Sequence, residues 1–176
     1  IDTHVETLGE AAILADHVSG VTISQFAEFG IRSAETVDGT TIDNTLGGGV
    51  GFGIGNFYGG TISDSSFSNM TVGVYIKGGD VLIQDSAFSD IANNAVRFND
   101  TGNIFVVGSS FDEYGASGGS EFSTTAIGGS RSTSKAEALF VDTETTFNST
   151  LGNEMIYDTK AFSNFDMIDF GSSSYQ

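Results

Sequence analysis

A chain of 176 residues is long enough for one domain with a sizeable core. It holds 24 glycines and 15 phenylalanines but no proline and no cysteine, so its turns rest on Gly, Asn, Asp and Ser, and disulfides, cysteine-bound metals and thiol nucleophiles are excluded. With 23 acidic against 6 basic side chains the formal charge is −17, which repels nucleic acid and anionic membranes and leaves neither as an expected partner. The chain opens IDTHVETLGEAAIL, without the basic start and apolar run of a signal peptide, and reads as a mature or excised segment. No apolar run is long enough for a transmembrane helix, so no membrane insertion is expected.

Short β-type runs then recur along the chain. VTIS (Val21–Ser24), TTID (Thr40–Asp43), GTIS (Gly60–Ser63), VLIQ (Val81–Gln84) and FVVG (Phe105–Gly108) place Ile23, Ile42, Ile62, Ile83 and Val106 at intervals of 19 to 23 residues. A second series alternates with them: GIRS (Gly30–Ser33), GIGN (Gly53–Asn56), GVYI (Gly73–Ile76) and AVRF (Ala95–Phe98). Phe67, Phe88 and Phe111 lie between the runs and read as a stacked core ladder on the turns. Period-two alternation, β-branched content and flanking turn residues favour strands over helices. A unit of about 20 residues with no helix cannot bury its own face, whereas stacked copies can.

Beyond Tyr114 the pattern loosens. GASGGSEFSTT (Gly115–Thr125) and SRSTSK (Ser130–Lys135) read as loops, AIGG (Ala126–Gly129) as a return to the coil, and ALFVD, EMIYD and FDMIDF as strands. The expected organisation is one domain, with regular rungs over 1–114, a Gly/Ser-rich insertion over 115–135, and irregular rungs or a C-terminal cap over 136–176.

TISDSSFSNMTVGVYIKGGDVLIQDSAFSDIANNAVRF resembles the right-handed parallel β-helix shared by pectate-lyase-like enzymes, NosD-like proteins and phage tailspikes. The resemblance covers about Ala12 to Tyr114 and implies an all-β β-solenoid; it is specific for the coil and silent on the reaction. The capping helix common in pectate-lyase-like chains is missing, so something outside this segment, or a neighbouring subunit as in a homo-trimer or larger assembly, is expected over that end.

Stacking the second series in register brings Arg32, Gly55, Tyr75 and Arg97 into one outward column, with Lys77 one step beyond. Arg forks pair with sugar carboxylates and a tyrosine ring offers an apolar face to a pyranose, so Arg32, Tyr75, Lys77 and Arg97 are the candidate ligand-binding residues; the plainer reading is cations offsetting neighbouring Asp. A second column, Gln25, Asn44, Asp64, Asp85 and Gly108, puts Asp64 and Asp85 on consecutive rungs. They are candidate metal ligands, for calcium if for any ion, or a pair sharing a proton as general acid and base, against the plainer reading that Asn and Asp suit sharp turns. His4 and His17 lack a partner motif, and GGGVGFGIG lacks the Lys-Ser/Thr ending of a phosphate loop. Sequons at Asn69, Asn99 and Asn148 are as many as chance supplies.

The expected function is an extracellular, cell-surface or virion-surface module that binds polysaccharide, in the manner of a tailspike, tail fibre or adhesin. The alternative is a lyase or hydrolase of acidic glycans. The resemblance implies an Arg or Lys base beside calcium-binding Asp for the lyases, and here only Arg97 with Asp64 and Asp85 could serve. A purely structural spacer is the third reading. An ice-binding face is weakened by the lack of a regular Thr-x-Thr column.

Overall fold

The computed structural model describes residues 3–6, 11–32, 34–46, 48–49, 51–115, 125–130, 134–149, 158–159, 162–163 and 165–171. Strands follow one another three to a turn: β1 (Thr3–Glu6), β2 (Ala11–Leu14) and β3 (His17–Ser19); β4 (Val21–Gln25), β5 (Phe29–Arg32) and β6 (Thr36–Asp38); β7 (Thr41–Asp43), β8 (Phe52–Phe57) and β9 (Gly60–Ser63). The next turns are β10 (Ser66–Met70), β11 (Val72–Ile76) and β12 (Val81–Gln84); β13 (Ala87–Ile91), β14 (Val96–Phe98) and β15 (Asp100–Val107); β16 (Ser110–Tyr114), β17 (Ile127–Gly129) and β18 (Lys135–Val141). A last turn holds β19 (Thr146–Asn148), a short antiparallel pair β20 (Asp158–Thr159) and β21 (Phe162–Ser163), and β22 (Phe165–Asp169).

The first, second and third strands of successive turns stack into three parallel sheets, here A, B and C, of seven, six and seven strands. The protein is all-β, a parallel β-solenoid with no helix among the described residues. Apart from the β20–β21 pair, strands after residue 114 belong to the same three sheets: Val96 pairs with Ile127, Phe111 with Phe147, and Leu139 with Ile168. EMIYD falls mostly outside the described residues, as do most of GASGGSEFSTT and Arg131.

Each sheet turns apolar side chains inward in stacked columns. Sheet A carries Ile23, Ile42, Phe67, Phe88, Phe111 and Phe147 in register. Sheet B carries Ile31, Ile54, Val74, Val96 and Ile127. Sheet C carries Val18, Val37, Ile62, Ile83, Val106 and Val141. The four phenyl rings of sheet A stack at centroid distances of 4.8, 4.9 and 4.8 Å, which is the sheet spacing itself. Gly53 and Gly73 open sheet B strands because a Cβ there would stand 2.9 Å from the Phe67 ring and 2.8 Å from the Phe88 ring.

Two sequence expectations are corrected by this register. The Phe-bearing segments are strands rather than turns, so a rung has three strands. The Ile series also changes sheet midway: Ile23 and Ile42 belong to sheet A, whereas Ile62, Ile83 and Val106 belong to sheet C.

The corner from sheet C to sheet A is built from two stacked columns. Gly20, Gly39, Asp64, Asp85 and Gly108 each follow a sheet C strand with φ between 47° and 62°, the left-handed region that Gly tolerates freely and Asp tolerates better than most. One residue after the last four, Thr40, Ser65, Ser86 and Ser109 are buried, and so is Thr145 at the next corner, after β18. The backbone N–H of Thr40 donates to Ser65 Oγ, that of Ser65 to Ser86 Oγ, that of Ser86 to Ser109 Oγ, and that of Ser109 to Thr145 Oγ1, at 3.2–3.3 Å. The hydroxyls of Ser65, Ser86 and Ser109 donate in turn to the carbonyls of Ser63, Gln84 and Val107. This ladder satisfies the amides that each corner takes out of sheet pairing.

Candidate binding face

Sheet B presents the cationic column to solvent. Arg32 ends β5 and pairs with Gly55 of β8, Tyr75 of β11 pairs with Arg97 of β14, and Arg97 pairs with Gly128 of β17. Arg32, Tyr75 and Arg97 are partly exposed, while Ile31, Val74 and Val96 beside them are buried. The structure thus brings Arg32, Tyr75, Lys77 and Arg97 onto one sheet.

An aromatic row, unforeseen in the sequence, runs through this column. The ring of Phe29 stacks on that of Phe52 at 5.5 Å and the ring of Phe52 on that of Tyr75 at 5.7 Å. Phe29 fits because position 55 is glycine: a Cβ there would occupy its ring. Cations sit against the row, with the Arg32 guanidinium 5.6 Å from the Phe29 centroid and Lys77 Nζ 5.4 Å from that of Tyr75. The Tyr75 ring therefore already has two partners, Phe52 and Lys77, and the free apolar face expected for a pyranose is partly taken up within the protein.

Arg97 is half-buried. Its ε N–H donates to Asn94 Oδ1 at 3.2 Å, and Asn94, fully buried, donates through Nδ2 to the carbonyl and hydroxyl of Thr125 at 2.9 and 3.0 Å. Burial lowers the Arg97 pKa from its ordinary value, while Tyr75 beside it favours the charged form. Among the described residues, Arg97 and Lys77 pair with no carboxylate.

Asp64 and Asp85 occupy consecutive corners and are exposed, with the Asp85 carboxylate accepting from Gln84 Nε2 at 3.0 Å. Their column is the left-handed corner of Gly20, Gly39 and Gly108, whereas Gln25 ends β4 and Asn44 follows β7, both at the far end of sheet A strands. Asn44 is buried and its Oδ1 accepts the Phe26 N–H at 3.0 Å. Among the described residues, no group of three His, Asp or Glu side chains is arranged to hold a metal ion.

A groove with a volume of about 570 Å³ opens past the ends of the sheet A strands, lined by Thr45, Gly48, Gly49, Asn69, Met70, Asp90, Ala92 and Glu113. Asn69, Asp90 and Glu113 stack with φ of 56°, 52° and 48°. The signal was the polar residue two places after each core phenylalanine, in SFSNM, AFSDI and SFDEY. The outer face of sheet A aligns Thr22, Thr41, Ser66, Ala87, Ser110 and Thr146, a column of small side chains in which Thr fills only half the places and which Asp43 and Asp112 flank.

No family model matches this chain, and no curated protein or solved structure matches it.

Proposed function

We propose that this chain is a glycan-recognition module, a right-handed parallel β-helix displayed outside the cell or on a virion, whose sheet B face binds polysaccharide. The observation that carries the reading is the row of Phe29, Phe52 and Tyr75 set among Arg32, Lys77 and Arg97 on a chain of net charge −17. A flat sheet with side chains repeating once per rung matches an extended polymer that repeats its own groups along its length. Right-handed winding follows the strong preference of connections between parallel strands for that hand. A glycan array tests the function: retention of a defined set of polysaccharides, lost on Tyr75→Ala with Arg97→Ala, supports it, and retention unchanged by that double substitution contradicts it.

A second reading, a glycan hydrolase, attaches to the groove, where Asp90 and Glu113 place carboxylates on consecutive rungs. Release of new reducing ends from a bound polysaccharide, abolished by Glu113→Gln, would favour this reading. Binding without turnover favours the module.

A further inference from the structure

We infer that sheet B recognises the anionic substituents of its glycan, carboxylate or sulfate, with Arg97 as the anchoring residue and Lys77 and Tyr75 beside it. This inference rests on the polysaccharide-binding reading of the same face. The chain has 23 acidic side chains for 6 basic ones, so a surface cation placed at random would sit beside a carboxylate. Among the described residues, Arg97 and Lys77 do not. Among the described residues the Arg97 guanidinium makes one hydrogen bond, to a neutral amide, and the Lys77 ammonium lies over a ring.

Arg97 is also the costlier of the two to leave unpaired, because it is half-buried and burial disfavours an uncompensated charge. Its support is fixed from behind. Asn94 Nδ2 is committed to Thr125, which turns Asn94 Oδ1 toward the Arg97 ε N–H and holds the guanidinium in one plane. No other described residue takes the remaining N–H donors of Arg97, which can make a bidentate bond to a planar or tetrahedral oxyanion, a geometry that lysine cannot reproduce. Lys77 extends from the end of the neighbouring strand, one turn away at about 4.8 Å, so a polymer charged at each sugar reaches both cations.

Isothermal titration calorimetry on the intact chain tests this with four probes: alginate, alginate with its carboxylates reduced to alcohols, dextran sulfate and plain dextran. The expected result is binding of alginate or dextran sulfate about tenfold or more tighter than of its uncharged counterpart, the preferred arm naming the anion. Equal binding of charged and uncharged polymers overturns the inference while leaving the module reading intact, and no binding to these or any arrayed glycan overturns both. Arg97→Gln should cost about tenfold on the charged polymer alone, and Arg97→Lys should restore only part of the loss. Arg97→Gln with native circular dichroism and unchanged affinity would also overturn it. Should that variant not fold, Lys77→Gln on the exposed flank carries the same comparison.

Discussion

Ser86 shows how much of this protein's stability rests on small buried polar side chains. Its hydroxyl accepts the Ser65 N–H and donates to the Gln84 carbonyl, so Ser86→Ala leaves both without that partner inside the coil. The expected cost is about 1–3 kcal/mol, read from the urea midpoint. Ser89→Ala, three residues along on the outer face of sheet A, should stay within about 0.5 kcal/mol. Asp142 is the acid-sensitive counterpart at the end of the ladder. Burial works against its charge, but the Thr145 hydroxyl and the N–H groups of Gly108, Thr145 and Glu144 more than offset this and hold its pKa below the ordinary 3.8. The folded chain thus holds this proton less tightly than the unfolded one. The stability it contributes is complete above the ordinary carboxylate value and disappears as pH falls through the lower folded value. Asp142→Asn should therefore be less stable than the parent at neutral pH, with the two denaturation midpoints converging in acid. A gap constant across that range would contradict the assignment.

At the scale of strands and corners, Asp64 and Asp85 are explained by backbone conformation, since three of the five residues in their column are Gly. Asp64→Gly with Asp85→Gly should leave the melting temperature equal or higher, with no calcium-dependent rise in either protein. A calcium-dependent rise confined to the parent would restore the metal site. The sequence reading found most sheet B strands, because GIR, GVY and AVRF keep one small residue ahead of one β-branched residue. It also paired Tyr75 with Arg97 correctly. It lost the register between Ile42 and Ile62 because inward residues on sheets A and C are of the same type, and a spacing near 20 fits either choice. The actual in-register steps at the corner are 25, 21, 23 and 36 residues, since turns of different length separate identical strands. The Phe-bearing strands were misjudged as turns because each phenylalanine sits between small or polar residues, in SFS, AFS and SFD. The hydroxyl ladder was written in GTTI, DSSF, DSAF and GSSF, yet Ser and Thr are too abundant here for four matches to stand out.

For the whole molecule, architecture and recognition separate by direction. Inward columns repeat nearly unchanged because each turn packs on the next, and their ring spacing of 4.8–4.9 Å is set by the sheet. Outward columns vary from turn to turn, and the variation on sheet B gathers three rings and three cations onto one face of an acidic coil. The aromatic row and the Asn94 brace were invisible in sequence because each depends on which turn lies beside which. The most direct measurement is amide chemical-shift mapping with the tightest-binding glycan of the array. The account predicts that the largest shifts fall on Arg32, Tyr75, Lys77 and Arg97. Shifts centred on the sheet A column of Thr22, Thr41, Ser66 and Ser110, or on the corner of Asp64 and Asp85, would contradict it, as would an array with no ligand at all.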